Sequence, residues 1–323
     1  MFHTIEITRP GPPDVLQART LPEAAPGPGE VLLRQHAIGV NYVDTYFRDG
    51  TRPLPHYPAG VGMEAAGTVE AVGPDVTDLA VGDRVAYAHV RGAYADRRIV
   101  RAADLLTLPD GISFETAAAA TLRGLTVQAL LRQVYPVRAG ETILLHAAAG
   151  GVGQLLAQWA SHLGVRVIGV VSSEEKAAIA RRAGVAETLV GYHDLPARIR
   201  ALNGGKGVPV VYDSVGRDTF EASLDCLAPR GLLVSFGNAS GEVTGVSFST
   251  LASKGSLYAT RPTLGTFIAE RTALVGAATE LYDLLRRNIL RVEIGQTFPL
   301  QDAAAAHAAL ESRRTTGSTI LIP

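Results

Sequence analysis

The feature that most restricts what this chain can fold into is a change of rhythm near residue 142. From there, short apolar runs alternate with segments of helical period. "TILLHA" is a short apolar strand, and Val152, Leu155, Leu156, Trp159 and Leu163 then recur on one face of a helix that Gly164 ends. "VRVIGVV" is a second buried strand, and "SEEKAAIARRAG" a helix closed by Gly184. The pattern continues through "ETLVGY", "DLPARIRALNGG", "VPVVYDSVG", "DTFEASLDCLA" and "GLLVSFG" as strand, helix, strand, helix and strand. Continuous apolar strands joined by helices require a parallel sheet covered on both faces. Right-handed crossovers then make an α/β, doubly wound domain.

Residues before about 124 read differently. "VLLRQHAIGV" is extended after the turn "PGPGE", and "AAGTVEAVG" and "VGDRVAYA" continue in short β runs punctuated by glycine. A helical pattern starts at Ser113, read as its N-cap, and is expected to give way at Gly124. After 262 come a long helix (271–287), a strand, an alanine-rich helix (302–312) and "GSTILIP". At 323 residues, the chain fits two domains.

Composition excludes several classes. With 47% hydrophobic and 19% charged residues the chain is globular, and a net charge of −1 gives no footing for nucleic acid. The pairs Arg97-Arg98, Arg181-Arg182, Arg286-Arg287 and Arg313-Arg314 are interleaved with acids and read as solvated faces. The one cysteine, Cys226, excludes an internal disulfide and reads as an inert core thiol, which points to a reducing, cytoplasmic compartment. No secretory signal and no run of about 18 apolar residues is read, so no membrane partner is expected.

The turn "HAAAGGVG" carries the chemistry. Ala148-x-Gly150-x-x-Gly153 follows a strand and opens a helix, the context a dinucleotide fingerprint requires. Gly150 lets backbone approach a pyrophosphate, Gly153 allows close packing, and Ala148 is tolerable if its φ is negative. The coenzyme is chosen at the tip of the next strand, roughly 20 residues on. There Ser172 and Ser173 replace the carboxylate of an NAD site and Lys176 follows, which favours NADPH over NADH, with Glu174 and Glu175 arguing mildly the other way.

The segments "GVNYVDTYFRDG", "GMEAAGTVEAVG", "VGDRVAYA", "LRGLTVQALL", "LLHAAAGGVG", "GLLVSFGNASG" and "ESRRTTGSTILIP" together resemble the medium-chain dehydrogenases/reductases, and within them the zeta-crystallin-like bacterial NADPH:quinone oxidoreductases. The resemblance implies a chaperonin-10-like catalytic domain from 1–124 and 263–323, and a Rossmann domain over 125–262, with the site in the cleft. It implies that Asn41, Tyr46 and Thr126 lie by the nicotinamide, that Gly150, Gly151 and Val152 hold the pyrophosphate, and that Ser172, Lys176 and Tyr192 surround the 2′-phosphate. Ser214, Phe236, Gly237, Asn238, Ser240 and Arg313 would complete the cofactor site. Relatives are commonly homodimers, and "GSLYATRP" is the candidate edge strand for such pairing.

Zinc alcohol dehydrogenases of the same superfamily place cysteine where this chain has Asn41, and histidine where "Gly62-Met63-Glu64" has methionine. None of the eight histidines stands at a paired ligand spacing, so no metal is expected. Lacking a Lewis acid for an alkoxide, such a site suits an acceptor that is already electron-poor, such as a quinone. Asn41, Asp44 and Tyr46 are the candidates for positioning nicotinamide and acceptor, and an equally weighted reading has Asp44 and Tyr46 only ordering their segment or binding the coenzyme. Relatives often carry tyrosine near 52, where this chain has Arg52. A reductase of α,β-unsaturated carbonyls is the alternative function, and an RNA-binding or structural role a third.

Overall fold

The computed structural model describes residues 1–312 and 315–323. Two compact units emerge: Met1–Leu125 with Ile268–Pro323, and Thr126–Phe267.

The chain begins with β1 (Phe2–Ile7), β2 (Gln17–Leu21) and β3 (Glu30–Val40), then α1 (Tyr42–Asp49) and β4 (Ala59–Gly60). It continues with β5 (Glu64–Val72), β6 (Arg84–Ala88), β7 (Arg97–Arg101), β8 (Leu106–Thr107) and α2 (Phe114–Ala129). The mixed sheet of the first unit is built on β3, which pairs antiparallel with β5, β7 and the last strand of the chain. Val31, Leu33, Ile38 and Val40 of β3 are fully buried with Val69, Val85 and Tyr87, so one sheet face carries the core. Each such aliphatic side chain contributes roughly 1.5–3 kcal/mol by leaving water.

The second unit holds β9 (Thr142–His146), α3 (Gly151–His162), β10 (Arg166–Val171), α4 (Glu174–Arg182), β11 (Glu187–Val190) and α5 (Leu195–Leu202). Next come β12 (Val208–Asp213), α6 (Phe220–Asp225), β13 (Leu227–Ser235), α7 (Phe248–Ser253), β14 (Tyr258–Thr260) and α8 (Leu264–Phe267). All its strand pairs are parallel, in the order β11-β10-β9-β12-β13-β14. The chain winds outward from β9 to β11, then returns to the other side of β9 as β12, so the order reverses between β9 and β12. This is the doubly wound arrangement expected from the alternating runs, and Leu144, Ile168, Val170 and Val211 are buried to 0% exposure because helices cover both faces. The closing elements are α9 (Arg271–Arg286), β15 (Ile294–Pro299), α10 (Ala303–Glu311) and β16 (Ser318–Ile322).

One expectation about the helices fails. Ser113 does cap α2, its hydroxyl accepting from the Thr116 N–H at 3.1 Å, but the helix does not give way at Gly124. It runs to Ala129 and into a wider π-type turn at Leu130–Val134. A Cβ on residue 124 would stand 2.3 Å from Leu281 Cδ1 of α9, so this glycine admits a neighbouring helix rather than stopping its own. Cys226 is buried beyond α6, and burial pushes its thiol up to about 12, which fits an inert core group. No helix among the described residues is long and apolar enough to cross a membrane.

Candidate active site

Most of the expected cofactor residues lie just beyond the C-terminal ends of strands in the parallel sheet. Gly150, Gly151 and Val152 follow β9; Ser172 and Lys176 follow β10; Tyr192 follows β11; Ser214 follows β12; and Phe236, Gly237, Asn238 and Ser240 follow β13. In open α/β sheets that edge is where ligands bind, at the reversal of strand order.

The turn after β9 sits at that reversal. Its left-handed residue is Ala147, at φ +51°, and Ala148 stays out of the positive-φ region while its methyl is buried. Alanine at 148 therefore costs no strain, and the missing first glycine is explained. Gly150, exposed and extended at φ −74°, is the N-cap of α3. Gly153 is buried, and a Cβ there would lie 2.4 Å from the Ala147 carbonyl oxygen and 2.9 Å from Ala148 Cα. One glycine leaves backbone open and the other lets the helix seat on the turn. The first N–H groups of α3 have no partner within the helix, so they suit an anion.

At the tip of β10, Ser172 is exposed, and the Ser173 hydroxyl caps α4 by accepting from the Lys176 N–H at 3.3 Å. The cap sets the start of the helix and places Lys176, half-buried, one turn in. Glu174 pairs instead with Arg181 at 3.4 Å, which directs this acid along its own helix. The Tyr192 ring, 38% exposed, is tilted against His146, with centroids 5.7 Å apart.

His146 belongs to a buried cluster that the sequence did not reveal. The Ser223 hydroxyl donates to Asp213 Oδ2 at 2.8 Å and lies 2.9 Å from His146 Nε2, so that nitrogen carries the proton. Asp213 also accepts from the Val215 N–H at 2.8 Å and the Thr219 hydroxyl at 2.7 Å. Serine stands between histidine and aspartate, all three are buried, and the carboxylate is used by the loop. The set is a brace joining the ends of β9 and β12, not a nucleophile. Its only sequence signal is that His146 and Asp213 each end a strand at the reversal. Ser240 is likewise engaged: its hydroxyl donates to the Val215 carbonyl at 2.9 Å and accepts from the Asp218 N–H at 3.0 Å, holding the loop that starts at Ser214.

In the first unit, Asn41 caps α1 in a capping box with Asp44: its backbone N–H donates to Asp44 Oδ2 at 2.8 Å. The Asn41 amide donates to Glu64 Oε1 at 2.7 Å, and the Leu122 N–H donates to Glu64 Oε2 at 2.7 Å. The Tyr94 hydroxyl donates to Asp44 Oδ2 at 3.1 Å, so the proton between Tyr94 and His307 Nε2, 2.9 Å apart, belongs to His307. Arg123, also buried, donates to the Val40 carbonyl at 2.9 Å and the Ala119 carbonyl at 3.1 Å, and to the Ser318 hydroxyl. Asp44 is fully enclosed, with one carboxyl oxygen lacking a partner; Tyr46 is half-buried on the same helix. Thr126 lies on α2, and Arg313, with Arg314, falls outside the described residues.

Burial pushes Asp44 up to about 7, against the lowering from the Asn41 N–H and the Tyr94 hydroxyl; it also pushes Glu64 up to about 7, against the Arg123 guanidinium. Two carboxyls facing one guanidinium carry an uncompensated negative charge, and a proton relieves it. Both folded values lie above the ordinary ones. Their stabilising contribution is therefore complete below about pH 4 and is lost as pH rises through about 7. His307, lowered to about 3 by burial, gives the opposite slope below its ordinary value. The difference between variants therefore isolates the carboxyl. Denaturant unfolding of Asp44→Asn against wild type should show their stability gap shifting in the variant's favour by on the order of 1–3 kcal/mol between about pH 4.5 and about pH 8. Parallel curves would mean Asp44 is ionised throughout.

A zinc ion does not suit these residues. Asn41 presents an amide N–H toward Glu64, Met63 is buried, the one cysteine lies in the other unit, and among the described residues no group of three His, Cys, Asp or Glu side chains could hold a metal.

Comparison with known proteins agrees with this architecture. A family model described as alcohol dehydrogenase GroES-like domain matches residues 27–110, and one described as zinc-binding dehydrogenase matches residues 151–275. The chain is 55% identical to a quinone oxidoreductase of Pseudomonas aeruginosa, over 100% of both chains. It is 42% identical to a 2-haloacrylate reductase of Burkholderia sp, over 98% of each. The crystal structure of Escherichia coli quinone oxidoreductase complexed with NADPH superposes with a TM-score of 0.97 at 48% identity, covering 99% of this chain and 100% of that one. A match along the whole length, through both units and at this identity, leaves one assignment: the chain belongs to the quinone oxidoreductase family of the medium-chain dehydrogenase/reductase superfamily.

Proposed function

We propose that this protein reduces quinones with NADPH and without zinc. The observation that carries the reading is the glycine turn at the reversal of strand order, with Ser172 and Lys176 at the neighbouring strand tip. Gly150, Gly151 and Val152 would offer N–H groups to the pyrophosphate, and Ser172, Lys176 and Tyr192 would enclose the 2′-phosphate. When bound, NADPH supplies a hydride to an electron-poor acceptor. The protein's share is binding and orientation. Asn41, Tyr46 and Thr126 are assigned to the nicotinamide half, where Tyr46 would hydrogen-bond an acceptor oxygen. Asp44, enclosed, acts by holding Asn41 and the first turn of α1. A reduced quinone oxygen takes its proton from water, so no strong side-chain acid is required.

Reduction of an activated alkene is the second reading, favoured by the 42% identity to a 2-haloacrylate reductase. It demands protonation of carbon and hence a side-chain acid such as Tyr46. We further assign the protein to the cytoplasm, on its single cysteine, and to a homodimer joined through β14, the outermost strand of the parallel sheet, whose Tyr258 is 61% exposed.

The deciding experiment follows nicotinamide absorbance with NADPH and NADH over a panel of quinones and enones. Brisk quinone turnover with NADPH is expected; enone turnover alone would reverse the ranking. Lys176→Ala should weaken NADPH binding by about 1.5–3 kcal/mol while leaving NADH nearly unchanged. Equal loss for both coenzymes would remove Lys176 from the 2′-phosphate.

A further inference from the structure

We propose that Arg52 and Arg91 form an anion-accepting subsite beside Tyr46, and that the preferred acceptor is a planar, electron-poor ring bearing a carboxylate or sulfonate. The proposal rests on the quinone-reductase reading and names the substrate class for it. Phe47 follows Tyr46 on α1 and is half-buried. The guanidinium carbon of Arg52 lies 6.0 Å from the centre of the Phe47 ring, and that of Arg91 lies 5.8 Å from the same centre. The Arg52 N–H donates to the Tyr46 carbonyl at 2.7 Å, so the segment after α1 folds back onto the end of the helix that carries Tyr46.

The backbone of Arg91 is held in its loop. Arg98 donates to the Arg91 carbonyl at 2.9 Å while its guanidinium rests on the Tyr87 ring, 5.3 Å from the centre. The Gly92 N–H donates to the Gly62 carbonyl at 2.9 Å, and His89 at the start of this loop takes φ +66°. A non-glycine residue in that region persists only when the surrounding structure holds it. Arg98 is thus a working part of a built loop, contrary to the expectation that the Arg97-Arg98 pair is a solvated face.

Two guanidinium groups lie over one ring, and among the described residues neither has a carboxylate within ion-pair distance. Cation–π attraction offsets only part of their mutual repulsion. Both are half-buried, so water screens them less than it screens a surface pair. An anion between them relieves the repulsion, and a planar acceptor bearing it also meets the Phe47 ring. With the coenzyme's phosphates assigned to the second unit, the acceptor's own anionic group is assigned to this place.

The test compares a sulfonated naphthoquinone with its uncharged parent. Wild type should favour the sulfonated acceptor in kcat/KM. That preference should fall about fivefold in Arg52→Gln, about fivefold in Arg91→Gln and on the order of twentyfold in the double variant. Arg52→Lys, which keeps the charge, should retain most of it, and Arg101→Gln, a charge change at an exposed pair with Asp104, should leave it unmoved. Raising salt should lower the preference in wild type. A calorimetric titration of the same sulfonated quinone reads the subsite without turnover. Absence of turnover with every quinone would end the quinone-reductase reading, and the titration would still decide the subsite. Equal affinity and equal preference in wild type and the double variant would overturn the proposal.

Discussion

Arg123→Met should lower the free energy of unfolding by about 3–5 kcal/mol. The guanidinium is buried in the first unit, where it donates to the carbonyls of Val40 and Ala119 and to the Ser318 hydroxyl, and so ties the end of β3 to α2 and β16. Its field lowers both Asp44 and Glu64. Methionine fills much of the volume but leaves acceptors unpaired and two enclosed carboxyls without a counter-charge. The loss should be larger at about pH 8 than at about pH 5, because at the lower pH protons can replace the missing cation. Denaturant unfolding at both values reads this directly. Adding Glu64→Gln to the Met variant should recover part of the loss at the higher pH, since it removes one of the stranded charges. A cost below about 1 kcal/mol, equal at both pH values, would mean that water or relaxation already neutralises this cluster.

Gly153→Ala should weaken NADPH at least about tenfold and cost about 1–3 kcal/mol of stability. The added methyl meets only backbone: the Ala147 carbonyl oxygen at 2.4 Å and Ala148 C and Cα at 2.9 Å. No side chain can swing away, so α3 must lift from the turn and carry its free N–H groups with it. Gly150→Ala is the informative partner. Its φ of −74° suits alanine and its Cβ would be 3.2 Å from the Ala147 oxygen, so the fold should tolerate it with a cost of a few tenths of a kcal/mol. Its methyl would nonetheless stand where a pyrophosphate approaches the backbone, so coenzyme affinity should fall. Fluorescence titration of NADPH beside thermal unfolding separates the two. If Gly153→Ala binds NADPH as wild type does, the turn is not the phosphate site.

Much of the parallel-sheet unit was legible because its pattern is local. A strand, a turn and a helix within residues 142–163 announce themselves through apolar period and glycine spacing, and the serine and lysine beyond β10 follow at a set distance. Ser113 was legible as a cap for the same reason. Gly124 was misread because glycine's reason lay on α9, and nothing near 124 names Leu281 as its neighbour. The brace of His146, Ser223 and Asp213, and the pairing of Tyr94 with His307, join residues far apart in the chain. His146 and His307 are both buried on such distant partners, and no local spacing names them.

By itself the amino-acid order determined the alternating strands and helices, the glycine turn that opens α3 and the likeness to a coenzyme-dependent reductase family, because period and turn chemistry act between residues close in the chain. Tertiary structure alone decided that Asp44 is sealed away rather than facing an acceptor, that Glu64 and Arg123 share its enclosure, and that two guanidiniums lie over Phe47. Burial, and with it the strength of every charge, is set by which distant segments pack together, and no single stretch of sequence encodes that.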